Sequence, residues 1–253
     1  MLKNGLALLF SCALFALSSG CIKMEHTIHF RSDGTATYTL AYSISDQAIV
    51  QFHAMEKLKN QLALATGEPS PGIEMDPLLH LFLDPDEDAI RAALSKYKED
   101  GMVIKELSVK NGAAKRSVDL KLEFSDLSKI AQTDFFQNNG FNLSKDQKGN
   151  YVFSREPYIN RPGEIAKLPS KEEVKQLIPL LSGFKTTIRI SVPGNILSTT
   201  AFHNSNSSAS WSFDFDHNPG ALVELQHQPF RIVFKAPETK FPEMHYRGSS
   251  LTK

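Results

Sequence analysis

The sequence predicts an α+β fold: a mostly antiparallel sheet built from hairpins, with helices packed on one face. Three observations predict it. Apolar residues alternate at period two in several runs, and the runs come in pairs around turn residues. Segments with helical spacing and capping residues stand between the pairs. The composition of the 253 residues, 41% hydrophobic and 22% charged, is that of a globular chain with a core to bury.

The first hairpin starts close to the amino terminus. Met24, His26, Ile28 and Phe30 alternate with Glu25, Thr27, His29 and Arg31. Ser32-Asp33-Gly34 is a turn signal, and Ala36, Tyr38, Leu40, Tyr42 and Ile44 then alternate with polar or small neighbours. Asp46 is placed to cap a helix over residues 47–65, with Ile49, Phe52, His53, Leu58 and Leu62 on one face. Gly67 stops it, and the Pro and Gly residues of 67–77 make a loop. Asp84 is placed to cap a second helix, with Pro85 at its first position and acids in its first turn. Ile90, Leu94 and Tyr97 or Lys98 form its inner stripe, and Gly101 closes it.

A second hairpin pairs residues 102–110 with 115–124 through Asn111-Gly112, the spacing leaving room for a longer loop. A short helical piece over 126–133 leads to a third hairpin, 141–145 with 151–155, around Lys148-Gly149-Asn150. Pro157 and Pro162 bracket a loop. Ser170 with Glu173 forms a capping box that opens another helix, which Pro179 kinks or ends. A strand over 184–192 ends at Pro193-Gly194, and residues 196–202 continue the sheet beyond that bend. Trp211, Phe213 and Phe215 alternate along another strand, and their spacing reads as sheet core before it reads as a ligand pocket. Apolar segments at 221–226 and 230–235 complete an exported domain over 21–236, with a subdivision near 157–170 left open. Residues 237–253 lack periodicity and read as a loosely ordered tail.

The first twenty residues are an address. Lys3 supplies a positive start, residues 6–17 an apolar run too short for a comfortable permanent span, and Ser18, Ser19 and Gly20 the small residues before a cleavage site. Cys21 follows. This order resembles a bacterial lipoprotein signal peptide over residues 1–20, with one departure: Ser18 stands three places before the Cys, where an aliphatic residue is usual, and Leu17 one place earlier. The competing readings are an ordinary signal peptide cleaved near Gly20 and an uncleaved anchor. The resemblance implies lipidation of Cys21. It also accounts for the cysteines: the chain has two, Cys12 leaves with the signal, and no disulfide is expected. Several acyl chains on one residue make a firm anchor, where a single chain is marginal. Ile22, in the place where an Asp typically retains lipoproteins in the inner membrane, resembles the class sorted to the outer membrane, facing the periplasm.

Two further stretches are similar to a broad class of bacterial envelope lipoproteins that includes the mycobacterial LppM-type domain. One is Cys21-Ile22-Lys23 leading into a first strand and the Asp33-Gly34 turn. The other is Val192-Pro193-Gly194-Asn195-Ile196, a polar turn, and Ser210-Trp211-Ser212-Phe213. The resemblance implies an exported α+β domain tethered to a membrane, with a role at lipid or envelope surfaces, and it brings no catalytic residues.

Chemistry-bearing motifs are sparse. Lys and Arg number 28, as do Asp and Glu, and a zero net charge argues against a nucleic-acid partner. His26 and His29 fall on opposite faces of one strand and cannot share a metal. His217, His227, Asp214 and Asp216 lack the converging spacing of a zinc site, so no metal or other cofactor is expected. Asp84, Asp86 and Asp88 open like a calcium loop, but Ala89 stands where Gly is required and Ser95 where Glu is, so helix capping explains them better. No G-x-S-x-G elbow and no phosphate-binding glycine pattern appears. The expected function is therefore a lipid-anchored envelope protein with a non-catalytic binding or scaffolding role, for a lipid, another hydrophobic ligand or an envelope protein. The alternative is a hydrolase-like enzyme whose site is assembled from scattered residues such as Ser170, Asp216 and His217.

Overall fold

The computed structural model describes residues 22–50, 53–54, 57, 82–137, 140–155, 157, 183–218 and 220–245. The signal region with Cys21, the loop at 67–77, the capping box at Ser170, the subdivision expected near 157–170 and the end of the tail lie outside them.

Two sheets carry the fold. The first hairpin is β1 (Ile22–Phe30) and β2 (Ala36–Ser45), joined by a turn in which Gly34 has φ +86 and Asp33 accepts from the Thr35 amide at 2.9 Å. The second is β3 (Met102–Asn111) and β4 (Lys115–Phe124), with Asn111 paired to Arg116 across a loop longer than two residues. The third is β5 (Phe141–Lys145) and β6 (Tyr151–Arg155). Then come β7 (Phe184–Ser191), β8 (Asn195–Thr199), β9 (His203–Asn204), β10 (Ser208–Asp214) and β11 (Phe230–Lys235). One sheet has seven strands in the order β3-β4-β2-β1-β7-β10-β9, and the other has four in the order β5-β6-β11-β8. All pairings are antiparallel except one: β1 runs parallel to β7, with Ile22 opposite Phe184.

Among the described residues the helices are short pieces, and the fold is more sheet-dominated than the sequence predicts; most of the helix expected over 47–65 and the one expected after Ser170 lie outside the described residues. The described helices are α1 (Glu87–Ser95), α2 (Leu127–Ile130), α3 (Asp134–Gln137) and α4 (Ala221–His227), besides a helical start at 46–50. The second sheet takes much of the covering role that helices were expected to fill. Period-two strands are amphipathic, and facing another sheet buries an apolar face as well as a helix does. Phe30 of β1 meets Phe153 of β6 at 5.4 Å between ring centres, and Trp211 of β10 meets Phe230 of β11 edge-on at 4.9 Å. Phe135 of α3 covers the other end, against Tyr38, Phe124 and Tyr97. The opposite face of the large sheet is polar, with Lys23, Glu25 and His29 exposed on β1.

Two caps differ from expectation. The helical start at 46–50 is capped by the Ser45 hydroxyl, which accepts from the Ala48 amide at 3.1 Å, and not by Asp46. Helix α1 is capped by Asp86, whose carboxylate accepts from the Ala89 amide at 2.7 Å. Asp84 is engaged elsewhere, by the Arg116 guanidinium. The strand expected to continue past Pro193-Gly194 does continue, but it leaves its sheet there: β7 belongs to the large sheet and β8 to the small one. The tail also departs from expectation. Phe241 and Met244 are buried, and Met244 exchanges backbone hydrogen bonds with Leu143 of β5 at 2.7 and 2.8 Å.

Candidate functional site

Even-numbered residues of neighbouring strands share one face, because the register pairs Met24 with Thr186 and with Tyr42. That face is apolar along Met24, Ile28 and Phe30 of β1 and Phe184, Ile188 and Ile190 of β7. The small sheet and the short helices do not close fully onto it. Between them lies a cavity of about 340 Å³. Phe153 and Phe230 line it from the small sheet, Ile130 and Phe136 from the helices, and Met244 from the tail. The volume falls in the range of small-molecule sites, roughly 300–1,000 Å³.

Among the described lining residues, four carry polar side-chain atoms: His26, Tyr38, Arg155 and Thr186. His26 Nδ1 lies 2.8 Å from the Tyr38 hydroxyl. The pair is diagonal across the β1–β2 ladder, since Tyr38 stands directly opposite Ile28 and His26 opposite Leu40. Burial, with the Arg155 charge as the second cause, pushes the His26 pKa down to about 4, so the imidazole is neutral at physiological pH. Burial likewise pushes the Tyr38 phenol up, against a smaller opposing effect of Arg155. Arg155 ends β6 with 8% of its surface exposed, its guanidinium carbon 5.3 Å from the Phe230 ring centre and 5.8 Å from that of Phe141. Those rings are its register partners on the two adjacent strands. The small sheet thus contributes a cation, and the large sheet a neutral imidazole–phenol pair.

Apart from His26, which lines the cavity, the residues singled out in the sequence sit elsewhere. Cys21 and Ser170 lie outside the described residues. Asp216 and His217 do not form a dyad: His217 Nδ1 is 2.9 Å from Asp214, and Asp216 accepts from the Gly183 amide at 2.7 Å. The hydrogen bond from His217 is the largest cause that holds the Asp214 carboxyl down at about 2. The His217 ring is 85% exposed. No three His, Cys, Asp or Glu residues gather as metal ligands among the described residues. Trp211, Phe213 and Phe215 are all buried, and none of them lines the cavity. Sequence reasoning missed Arg155 and Tyr38 altogether. The available signal was a strand alternation that ends on a buried-phase Arg, since Tyr151, Phe153 and Arg155 share one face.

No protein-family model matches the chain. No curated protein matches it either. Among solved structures it is similar to the folded domain of LppM from Mycobacterium tuberculosis, determined by NMR, with a TM-score of 0.36 and 11% identity over 88% of this chain and 95% of that one. A likeness at that score and identity assigns neither a fold nor a role. No helix among the described residues is long and apolar enough to cross a membrane.

Proposed function

We propose that the protein is a lipid-anchored envelope protein that binds a hydrophobic ligand between its two sheets and does no catalysis. The observation that carries this reading is the apolar cavity of about 340 Å³. Close packing is the rule in protein interiors, and a void of this size lined by aromatic and aliphatic groups leaves those groups without contacts unless something fills it. The anchoring part rests on the sequence: a signal-like segment, small residues, then Cys21 as the sole cysteine of the mature chain. Ile22 at the following position supports sorting to the outer membrane, on its periplasmic face. Strand β1 begins at Ile22, which is buried and donates to the Gly183 carbonyl at 3.1 Å. An acylated Cys21 would therefore hold the folded body directly against the bilayer with no linker between.

Mass spectrometry of the protein purified from its native membrane tests both parts. The expected result is a mature chain starting at acylated Cys21 together with a co-purified lipid. A bare thiol at Cys21 overturns the anchor. The cavity is tested separately by Ile188→Trp, which places an indole in the void. It should abolish retention of the lipid while leaving the melting temperature unchanged or higher. Retention equal to wild type overturns the binding reading.

A further inference from the structure

We propose that the end of the large sheet next to Cys21 is a docking surface for the phosphate headgroups of anionic lipids, built by Lys23, Lys110 and Lys115 on the polar outer face. This is independent of the cavity and rests on the reading of Cys21 as a lipid anchor. The strand register carries it. Six strands place one residue each in a single row across that face: Lys110 of β3, Ser117 of β4, Ser43 of β2, Lys23 of β1, Lys185 of β7 and Asp214 of β10. Residues directly opposite one another point to the same side of a sheet. Lys115, opposite Ser45, stands in the next outward-facing row toward the same end. Lys23 follows Cys21 by two residues, so its backbone lies within about 7 Å of the anchored one.

The sign of the partner follows from the charges. Lys23, Lys110 and Lys115 are exposed, and none of them forms an ion pair among the described residues. Other lysines of the sheet are engaged: Lys105 with Glu123 at 3.0 Å, Lys121 with Glu106 at 2.8 Å and Lys185 with Asp214 at 3.4 Å. Between the three free lysines stand Ser43, Ser45 and Ser117, which bring neither charge nor bulk. The nearby acids lie to the sides or behind. Asp46 and Asp84 flank the Arg116 guanidinium, and Asp214 and Asp216 sit at the β10 side of the row, with His217 on Asp214 at 2.9 Å. Glu25 and Asp119, both opposite Ala41, occupy the next outward-facing row away from Cys21, about 7 Å farther along the strands. Screening over a Debye length of about 8 Å weights the membrane's field toward the lysines. Each lysine close to an anionic surface shifts a docking equilibrium about fivefold. Acyl chains fix the depth of residue 21 but leave the body free to swing, and the three lysines fix its pose.

Thiol labelling of the mature acylated chain tests the proposal, because acylation of Cys21 leaves that chain without a free thiol. Ser43→Cys places one thiol inside the row. Ser32→Cys places one in the exposed turn at the far end of the same hairpin. Each protein is inserted from outside into vesicles of phosphatidylcholine, or of phosphatidylcholine mixed equally with phosphatidylglycerol, and treated with a membrane-impermeant maleimide. The thiol at position 43 should label at least about fivefold more slowly on the anionic vesicles than on the zwitterionic ones. High salt, with a screening length of about 3 Å, should remove that ratio. Lys23→Gln, Lys110→Gln and Lys115→Gln combined should remove it as well, and the thiol at position 32 should show no such ratio. Equal rates at position 43 on the two kinds of vesicle overturn the docking surface and leave the anchor standing. A ratio that survives the three substitutions also overturns it, since the lysines then do not hold the body. Label found on Cys21 itself overturns the anchor on which the proposal rests.

Discussion

Gly194 sits against the backbone of Lys235: a Cβ at position 194 would overlap the Lys235 carbonyl oxygen and lie 2.8 Å from the carbonyl carbon. This is the point where the chain passes from the large sheet to the small one, between β7 and β8, with β11 alongside. A backbone contact cannot rotate out of the way as a side chain can. Gly194→Ala is therefore expected to cost about 2–3 kcal/mol, as overpacking does where the surroundings cannot yield. Urea denaturation should show a lower midpoint at unchanged slope.

The hairpins were legible in the sequence because their information is local. Asp33-Gly34 and Lys148-Gly149-Asn150 mark turns, and alternation on either side fixes which residues face inward. What joins the hairpins was not legible. Ile22 pairs with Phe184 and Tyr151 with Phe234, contacts that no turn specifies. The chain changes sheets beside a close backbone approach at Gly194, where the sequence shows only a Pro-Gly bend. The cavity was out of reach for a related reason. Alternation placed Ile28 and Phe30 on one strand face, but whether opposing faces touch or stand apart is set by the spacing of two sheets and not by either strand. His26 was weighed only as a metal ligand with His29, because its partners Tyr38 and Arg155 lie on other strands.

Trp211 is the only tryptophan in the sequence and has no exposed surface. Its indole donates to the Thr200 carbonyl at 3.1 Å and stands edge-on to Phe230. Native emission should be blue-shifted and should move to longer wavelength in one step on unfolding. Trp211→Ala is expected to cost about 3–5 kcal/mol, as for a large core side chain. Phe202, 45% exposed and touching Phe213 at its edge, supplies the contrast: Phe202→Ala should cost about 1 kcal/mol or less. Thermal melts of the two variants check the difference.

Tyr151 ties the tail to the small sheet. Its hydroxyl donates to the Thr239 carbonyl at 2.6 Å and accepts from the Phe241 amide at 3.1 Å, all in a buried setting. Tyr151→Phe would leave two buried backbone groups without that partner, at about 1–3 kcal/mol. Removing residues 237–253 should cost more, because Phe241 leaves the aromatic cluster with Phe30 and Tyr151 and Met244 leaves Leu143. Hydrogen exchange offers a direct check: the Leu143 amide, which donates to Met244, should lose its protection in the truncated chain.

His26 makes stability depend on pH in a window of its own. Its folded pKa is down at about 4, against an ordinary value of 6.5, so the native state holds fewer protons than the unfolded chain between those limits. The stabilisation is complete above about pH 6.5 and is lost as pH falls toward 4, by an amount on the order of 3 kcal/mol. Below pH 4 this contribution no longer changes. Asp33, Asp126 and Asp214 also have lowered pKa values, but their loss begins near the ordinary carboxylate range and continues downward, so it lies below the His26 window. His217 has the opposite sign, since its pKa is raised, and its ring is too exposed for a strong effect. His26→Gln keeps a hydrogen-bonding group beside Tyr38 and removes the titration. Its stability should fall much less than that of the wild type between pH 6.5 and about 5, above the range where the carboxylates contribute in both proteins, and parallel curves there would rule out the buried neutral imidazole.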